Sequence, residues 1–335
     1  MVRKSLLVAA LLALAMPVSA QEDYVWTTER PDGAAPLGVT GARTLGLGEL
    51  EFTYRFSQLN SQGVWFANDS IPLDLTLEFY DVAPLSLTNQ THRFGVAYGV
   101  TDELTVLADW SIAKLSREQL SYEGVYYVTD VRDTGDLEVT GLYSFYESGP
   151  YTAHVQLGSR IPLGEENAVV WGPFGARMAP YDQRVGGGTF AVLPGMTVQV
   201  QNEVSSVGAQ VTADISLGSN DVGFARGNRF EATGWGAYRI NEFFSVSARV
   251  NWENWGGVRG ADPRLDPLFD PGNDGFFLEG ERVDLPLGIN FLMPAGTRFE
   301  GHRLFFEAIF PVHHEYEGPQ LGADWGVNVG WQLAF

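Results

Sequence analysis

Apolar and polar residues alternate one by one over long stretches of this chain. Apolar side chains occupy every second position from Trp325 to Phe335, and the positions between them are polar or small. The same pattern recurs from Val207 to Leu217 and from Phe244 to Trp252. Because successive side chains of an extended strand point to opposite faces, a period of two predicts β-strands with one apolar and one polar face.

Twelve segments satisfy this alternation, and their number is even. Most exceed the about 5–6 residues of an ordinary strand, and they approach or exceed the about 9–11 residues that a tilted strand needs to cross the hydrocarbon layer of a membrane. The segments are 48–57, 91–101, 103–116, 136–147, 151–163, 189–201, 205–218, 228–240, 242–255, 281–293, 302–313 and 324–335.

Short and long connections alternate between these segments. The short ones fall near Asp102, Gly149, Asn202, Asn241 and at 294–301, and the long ones are 58–90, 117–135, 164–188, 219–227, 256–280 and 314–323. Outer-membrane barrels have short periplasmic turns and long extracellular loops. The predicted fold class is therefore all-β: a single transmembrane antiparallel up-and-down β-barrel of about 12 strands, formed by residues 48–335. A further alternation at Leu73, Leu75, Leu77 and Phe79 is interpreted as a loop hairpin or edge extension, with an additional strand as the alternative.

The polar face of the predicted strands carries charges of both signs. Charged side chains are costly in lipid and are tolerated in a water-filled cavity or as ion pairs, so this face is predicted to line the lumen. With Glu51 at the start of the first strand, the predicted lumen-lining residues are Arg55, Arg93, Asp109, Glu138, Arg160, Asp214, Arg229, Glu231, Arg239, Arg249, Glu253, Asp284, Arg303, Glu307 and Asp324.

The N-terminus has the pattern of a cleavable signal peptide. Arg3 and Lys4 precede the apolar run Leu6–Met16, and small residues follow at Val18-Ser19-Ala20. This pattern predicts that residues 1–20 direct export, with cleavage after Ala20, to the outer membrane of a Gram-negative cell. Residues 21–47 contain Pro31, Pro36 and many glycines but no clear strand. Three alternatives are open for this segment: it extends freely into the periplasm, it folds into the lumen as a plug, or it contacts a partner.

Charge and composition exclude several classes of function. The 335 residues include 21 Lys and Arg against 41 Asp and Glu, a formal net charge of −20, which argues against a nucleic-acid partner because phosphate binding relies on Lys and Arg. The absence of Cys excludes disulfides and thiol chemistry. Only five His residues occur and no Gly-x-Ser-x-Gly elbow is present, so neither an enzyme nor a cofactor is predicted.

Two groups of residues are candidate metal ligands. Asp262, Asp266, Asp270 and Asp274 recur every four residues in a Pro-rich loop, which is not the spacing of an EF-hand; a solvated acidic loop is favoured over a calcium or lipopolysaccharide-bridging site. His313 and His314, followed by Glu315 and Glu317, offer imidazole and carboxylate ligands suited to a transition metal. On a strand, however, the two adjacent imidazoles point to opposite faces. A polar strand end is favoured there, and no metal site is predicted.

Several short motifs support a family resemblance that covers nearly all of the mature chain. They are Gly135-Asp136-Leu137-Glu138-Val139, Gly158 to Gly164, Gly318-Pro319-Gln320, Asp324-Trp325 and Gly330 to Phe335. The chain resembles outer-membrane barrels of the phenol-degradation meta-pathway transporter type, a group that also resembles the secretion pore of functional-amyloid systems. The resemblance implies a barrel that takes up or exports solutes. It also implies that the C-terminal residues Trp331, Leu333 and Phe335 are the signal read by the barrel assembly machinery.

Two functions are compatible with these observations. The first is an outer-membrane transporter or pore for small-molecule solutes, surrounded by outer-membrane lipid and lipopolysaccharide. The alternative is a non-conducting structural or partner-binding barrel, because the inward charges could also pair and close a narrow lumen. The transported solute, the oligomeric state and the role of residues 21–47 stay open at this point.

Overall fold

The computed structural model describes residues 24–294 and 296–335, so the predicted signal peptide lies outside the described residues. Long antiparallel strands form one sheet whose first and last members pair with each other, which closes a barrel. In chain order the strands are β1 (Leu50–Ala67), β2 (Asp69–Ile71), β3 (Val82–Gly99), β4 (Leu104–Ser121), β5 (Tyr126–Thr134), β6 (Leu137–Ser148), β7 (Tyr151–Ile161), β8 (Val169–Gly172), β9 (Gly175–Met178), β10 (Ala191–Gln201), β11 (Ser205–Ser216), β12 (Phe224–Ala225), β13 (Arg229–Arg239), β14 (Phe244–Trp255), β15 (Arg259–Gly260), β16 (Gly280–Leu292) and β17 (Arg303–Ala334).

The last strand, β17, has two arms with different neighbours. Its first arm, from Arg303 to Tyr316, pairs antiparallel with β16, and its second arm, from Tyr316 to Ala334, pairs antiparallel with β1. The Asn328 side chain of the second arm donates to Glu307 of the first arm at 2.9 Å. The chain therefore reverses direction just after Tyr316. The eleven long strands of the sheet, with β2 and β5 as extra pieces, thus make twelve passes, and the predicted all-β barrel is confirmed.

The wall extends further on the extracellular side than the alternation predicted. β1 continues to Ala67 and β4 to Ser121, and β5 pairs with the upper part of β4 while β6 pairs with its lower part. The predicted loops 58–90 and 117–135 are therefore largely strand. The predicted loop 314–323 is shorter than expected, because β17 pairs with β16 up to Tyr316 and with β1 from Gln320 onward, which leaves only a tight reversal between them. Glycines and polar residues concealed these strands, which rise beyond the apolar band.

The alternation at 73–79 does not form a strand. Leu73–Phe79 is a short α-helix, α1, whose Tyr80 N–H donates to the Thr76 carbonyl. Leu and Glu favour helix, Asp74 lies in the first turn where the helix dipole stabilises an acid, and Pro72 precedes the first turn. In seven residues these preferences outweigh a period of two, so the predicted loop hairpin or strand is corrected to a helix.

The two faces of the wall differ in the way that the alternation predicted. On β10 and β11, the apolar side chains of Met196, Val198 and Val211 are exposed, whereas the intervening Thr197 and Gln210 are buried inside the barrel. This is the arrangement of a strand with lipid on one side and a filled lumen on the other. Among the described residues, no helix has the length and apolar character needed to cross a membrane.

The C-terminus closes the barrel against its first strand. The Phe335 N–H donates to the Leu50 carbonyl at 2.8 Å, and the Leu50 N–H donates back at 3.2 Å. Trp331 donates its indole N–H to His302 at 2.8 Å, while Phe335 is exposed on the outer surface beside Phe52. Recognition of Trp331, Leu333 and Phe335 by assembly machinery stays a prediction.

Replacing an outward residue by a charge tests the strand register. Val211→Arg places a guanidinium at the middle of the lipid face, and we expect a loss of about 2–4 kcal/mol in the free energy of unfolding. Thr212→Arg is the matched control, because Thr212 faces the polar lumen and pairs with Glu231. Urea unfolding in phospholipid vesicles measures both variants, and equal losses would contradict the register.

Candidate functional site: a lumen occupied at both ends

The segment before the barrel crosses the lumen at its periplasmic end. Residues 24–49, here called the inner segment, begin with Tyr24, whose hydroxyl donates to Gln201 at 2.9 Å. Gln201 also accepts from the Thr27 N–H at 2.9 Å and donates to the Thr27 carbonyl at 3.1 Å. Ser206 donates to the Asp32 carbonyl at 2.6 Å. Inward side chains of β10 and β11 therefore bind the inner segment where its chain enters.

The middle of the inner segment is bound by side chains from around the wall. The Gly38 N–H donates to Glu307 at 2.9 Å, and Leu45 exchanges hydrogen bonds with the Thr105 hydroxyl at 2.7 and 3.3 Å. Other contacts to its carbonyls are Arg55 to Leu37 at 2.8 Å, His154 to Gly41 at 2.9 Å, Gln199 to Ala42 at 2.6 Å, Gln210 to Thr40 at 2.9 Å and Arg303 to Arg30 at 2.8 Å. Strands β1, β4, β7, β10, β11 and β17 thus all contact it.

Composition explains why this segment fits there. Buried backbone N–H and C=O groups must be paired, and a Pro- and Gly-rich chain without a strand partner depends on side chains for this pairing. Glycine is needed at the closest approach: a Cβ on Gly38 would lie 2.0 Å from an Arg249 nitrogen, and one on Gly330 would lie 2.5 Å from Leu37. Among the alternatives for residues 21–47, the described contacts favour the plug.

Most predicted lumen-lining charges form ion pairs inside the barrel. Arg93 pairs with Glu138 at 3.0 Å, and Arg249 pairs with Glu307 at 3.4 Å. Arg229 pairs with Glu253 at 2.7 Å, and Arg160 pairs with Asp214. Arg55 and Arg303 instead donate to carbonyls of the inner segment. Asp109 and Glu231 line cavities inside the barrel.

Asp284 supports the inward assignment, whereas Arg239 and Asp324 qualify it. Asp284 is buried and pairs with Arg282 at 3.0 Å; Arg282 shares its parity and could have been found from the alternation. Arg239 lies at the periplasmic end of β13, and its side chain forms no ion pair among the described residues. Asp324 is exposed at a register shift, where Asn60 pairs with Trp325 and Ser61 with Ala323. The alternation that placed Asp324 in the lumen is interrupted by this bulge.

Two extracellular loops fold over the mouth of the barrel and form what we call the cap. It consists of residues 162–190, with the β8–β9 hairpin, and residues 256–279. Arg117 at the top of β4 is fully buried and contacts Asp270 at 2.6 and 2.7 Å. Arg184 pairs with Asp262 at 2.9 Å, and both side chains are buried. These pairs join the two loops to each other and to the wall.

The four spaced aspartates do not converge on a cation. Asp262 is bound by Arg184 and Arg264, and Asp270 is bound by Arg117. Asp266 and Asp274 accept backbone N–H groups of Leu268 and Phe276 in local turns. The four aspartates therefore serve in ion pairs and turn capping, and the weak calcium candidate is not supported. The interpretation as a solvated acidic loop is corrected at Asp262 and Asp270, which are buried.

Between the cap and the inner segment lies a polar chamber. It consists of two adjoining cavities of about 560 and 250 Å³ that share Arg93, Glu138, Asp214 and Arg229 as lining residues. Arg226, from the loop before β13, also lines the chamber and donates to the Arg184 and Gly186 carbonyls. Burial, reinforced by Arg160, lowers the pKa of Arg226 to about 10, so it remains charged at neutral pH.

Sequence reasoning missed several residues of this chamber. Asp136 lies at the break between β5 and β6, where it accepts the Gly164 and Gly187 N–H groups at 2.9 and 3.2 Å. Arg184 and Arg226 lie in extracellular loops. Alternation identifies only residues on regular strands, and no local pattern shows that a loop folds inward.

Comparison with known proteins supports the fold. No protein-family model matches the chain, and no curated protein matches it. The COG4313 outer membrane channel from Pseudomonas putida F1 is similar in structure, with a TM-score of 0.63, 14% identity, and coverage of 89% of this chain and 99% of that chain. The KdgM porin has a TM-score of 0.42 and 8% identity, covering 85% and 99% of the two chains, which is too distant to support an argument. The protein therefore has the fold of outer-membrane β-barrels.

Removing a buried charge from the cap tests its role as a folded closure. Asp262→Asn leaves Arg184 buried without a countercharge, and we expect a loss of about 3–5 kcal/mol in the local stability of the cap. Asp266→Asn is the control, because Asp266 is exposed and accepts only a turn N–H. Hydrogen exchange of residues 162–190 and 256–279 measures the effect. Similar exchange in the two variants would contradict a role for the pair.

The same pair determines how the cap responds to acid. Burial acts to raise the pKa of Asp262, but hydrogen bonds from Arg264 and Arg184 outweigh it and lower this pKa below its usual range. A depressed folded pKa contributes stability above the unfolded value of about 3.9, and this stability is lost as pH falls through the folded value. We expect unchanged cap protection between about pH 5 and 7 and its loss only in stronger acid, measured by hydrogen exchange against pH.

Proposed function

We propose that this protein is an outer-membrane channel for small water-soluble solutes, gated by its inner segment. The observation that carries the proposal is a polar, charge-lined chamber inside a closed barrel, between a cap and a segment that is not part of the wall. A purely structural barrel has no need of such a chamber. Its mixed charges line cavities of about 560 and 250 Å³, which are large enough for water and small solutes.

The inner segment has the attachment expected of a movable gate. It continues into the wall at Leu50, and its described contacts with the barrel interior are mainly hydrogen bonds from side chains to its carbonyls. Its buried apolar side chains are few: Pro31, Pro36, Leu37, Ala42 and Leu45. Withdrawal would leave the wall hydrogen bonds intact, and water would replace the lost partners. The displaced state therefore costs less than opening the barrel itself.

The alternative is a non-conducting structural or partner-binding barrel. The density of inward ion pairs favours it, because Arg249 and Glu307 contact each other and also lie against Gly38, which fills the lumen at that level. The outer-membrane location, the contacts with lipid and lipopolysaccharide, and assembly through the C-terminal residues are part of either proposal. The resemblance to phenol-degradation pathway transporters implies uptake or export without naming a solute, and the proposed channel does not depend on it.

Deleting the inner segment tests the channel directly. We expect the mature protein to show small, intermittent conductance in planar bilayers, and a variant lacking residues 21–47 to show a larger and steady conductance. The reason is that deletion removes the material that fills the periplasmic half of the lumen. No conductance from either protein would favour the structural alternative, and equal conductance would show that the inner segment does not limit flow.

A reversible tether provides the matched control for this deletion. The chain contains no Cys, so Leu45→Cys with Thr105→Cys introduces a single thiol pair where the inner segment contacts β4. Oxidation should hold the segment in place and suppress the openings, and reduction should restore them. Openings that persist in the oxidised protein would show that solute passes without displacement of the segment.

The acidic loops are expected to determine ion preference at the extracellular mouth. Exposed acids such as Glu123, Asp221 and Glu317 raise the local cation concentration, and salt screens this effect over about 8–10 Å. We expect mild cation selectivity in 0.1 M KCl that weakens in 1 M KCl, measured as a reversal potential across a salt gradient. Neutralising these acids should reduce the selectivity. Anion preference would show that the inward arginines dominate.

A further inference from the structure

A cluster of metal-binding side chains lies on the outer face of the barrel, away from the lumen. Glu281 on β16 and His313 and Glu315 on the first arm of β17 each offer one ligand atom, and these atoms lie within 4.8 Å of one another. They are located at the extracellular end of the two strands, where Gly280 pairs with Tyr316. Glu315 is exposed, and Glu281 and His313 are partly exposed. The cluster is therefore open to solvent above the apolar band.

Strand register brings these three side chains together. Glu281 is directly opposite Glu315, and Val283 is opposite His313, so the three candidate ligands share one face. A bulge follows, because Asp284 pairs with Pro311 and leaves one extra residue on β17. His314 lies opposite Arg282 on the inner face, edge-on to Trp65 with ring centres 4.5 Å apart. The adjacent imidazoles diverge as predicted, and the partners of His313 come from the neighbouring strand and from Glu315.

The cluster contains opposed negative charges that a bound cation would neutralise. Like charges directly opposite each other across a sheet are destabilising, and Glu281 and Glu315 form such a pair. Glu279 and Glu317 form the next one, where the Glu317 N–H donates to the Glu279 carbonyl at 3.0 Å. In the described part of the chain, none of these four carboxylates has an Arg or Lys within ion-pair distance; nearby Arg282 is paired with Glu253 and Asp284 on the inner face.

We propose that Glu281, His313 and Glu315 bind one divalent transition-metal ion, for which zinc is the suitable probe. Imidazole and carboxylate together suit zinc or iron, whereas calcium and magnesium prefer oxygen ligands alone. Bonds of about 2.0–2.2 Å to zinc place two ligand atoms about 3–4 Å apart. Rotation of these exposed side chains closes the remaining distance. Three protein ligands leave a further position for water.

The bound ion would cross-link β16 and β17 where the wall rises above the membrane. It would also neutralise the opposed carboxylates, so metal binding and stability are linked: an ion that binds only the folded barrel raises its unfolding temperature as the metal concentration increases. This inference is independent of the proposed channel, because the cluster lies on the opposite face of the wall from the chamber.

The test uses the untagged, mature protein in metal-free detergent. Calorimetric titration with zinc chloride should show one ion per chain, and cobalt should give a visible absorption band that zinc removes. Glu281→Gln, Glu315→Gln and His313→Gln should each lower the affinity for zinc. Each loss should exceed the about 10–100-fold that is typical when a residue hydrogen-bonded to a metal ligand is removed. Glu317→Gln is the matched control, since this neighbouring carboxylate is not one of the three ligands, and it should retain zinc binding.

Three outcomes would overturn the proposal. They are no zinc binding by the wild-type protein, unchanged zinc binding in His313→Gln, and calcium binding as strong as zinc binding; the last two describe an ordinary acidic surface. A gel shift between unheated and boiled samples verifies that each variant retains its barrel. With three single variants available, failure of one to fold leaves two that decide the question.

Discussion

The pairing of backbone hydrogen bonds between the first and last strands is the constraint on which the rest of this structure depends. In hydrocarbon an unpaired N–H or C=O group costs several kcal/mol, so a sheet can span a membrane only if it has no edge. β1 and the second arm of β17 provide that closure, from Glu51 opposite Ala334 to Trp65 opposite Gln320. Once the sheet is closed, each strand must present apolar side chains to lipid and leaves its other face to the interior.

Closure creates a second requirement, because the enclosed polar residues have to find partners or water. The protein meets it in two ways. Inward charges pair with each other, as Arg93 does with Glu138, and the inner segment provides carbonyls to side chains such as Arg55 and Gln199. The periplasmic half of the lumen is thereby filled, and the remaining polar groups surround the chamber. The proposed gate depends on this balance, since hydrogen bonds to the inner segment can be exchanged for hydrogen bonds to water.

The loops over the extracellular side are held in place by a different kind of contact. Arg117 and Arg184 are buried with carboxylates of a loop more than seventy residues away. Such pairs add little net stability compared with apolar residues of similar volume, but removal of one partner leaves a buried charge without compensation. The outer rim shows the opposite situation at Glu281 and Glu315, which lie opposite each other and, among the described residues, have no Arg or Lys within ion-pair distance. The same register that closes the barrel therefore places opposite charges together inside and like charges together outside.

The sequence by itself determined most strands and their two faces, because the alternation of side chains along a strand does not depend on which neighbour the strand pairs with. It predicted twelve passes, the lipid-facing side chains, and the inward position of pairs such as Arg249 and Glu307. It failed where the period is broken or too short: at the Asp324 bulge, at the helix Leu73–Phe79, and in strand ends rich in glycine. Only the tertiary structure decided where the inner segment lies, which loop carboxylate meets Arg117, and which strand provides a partner to His313. These contacts join residues far apart in the chain, and their energies depend on register and burial, which no local pattern encodes.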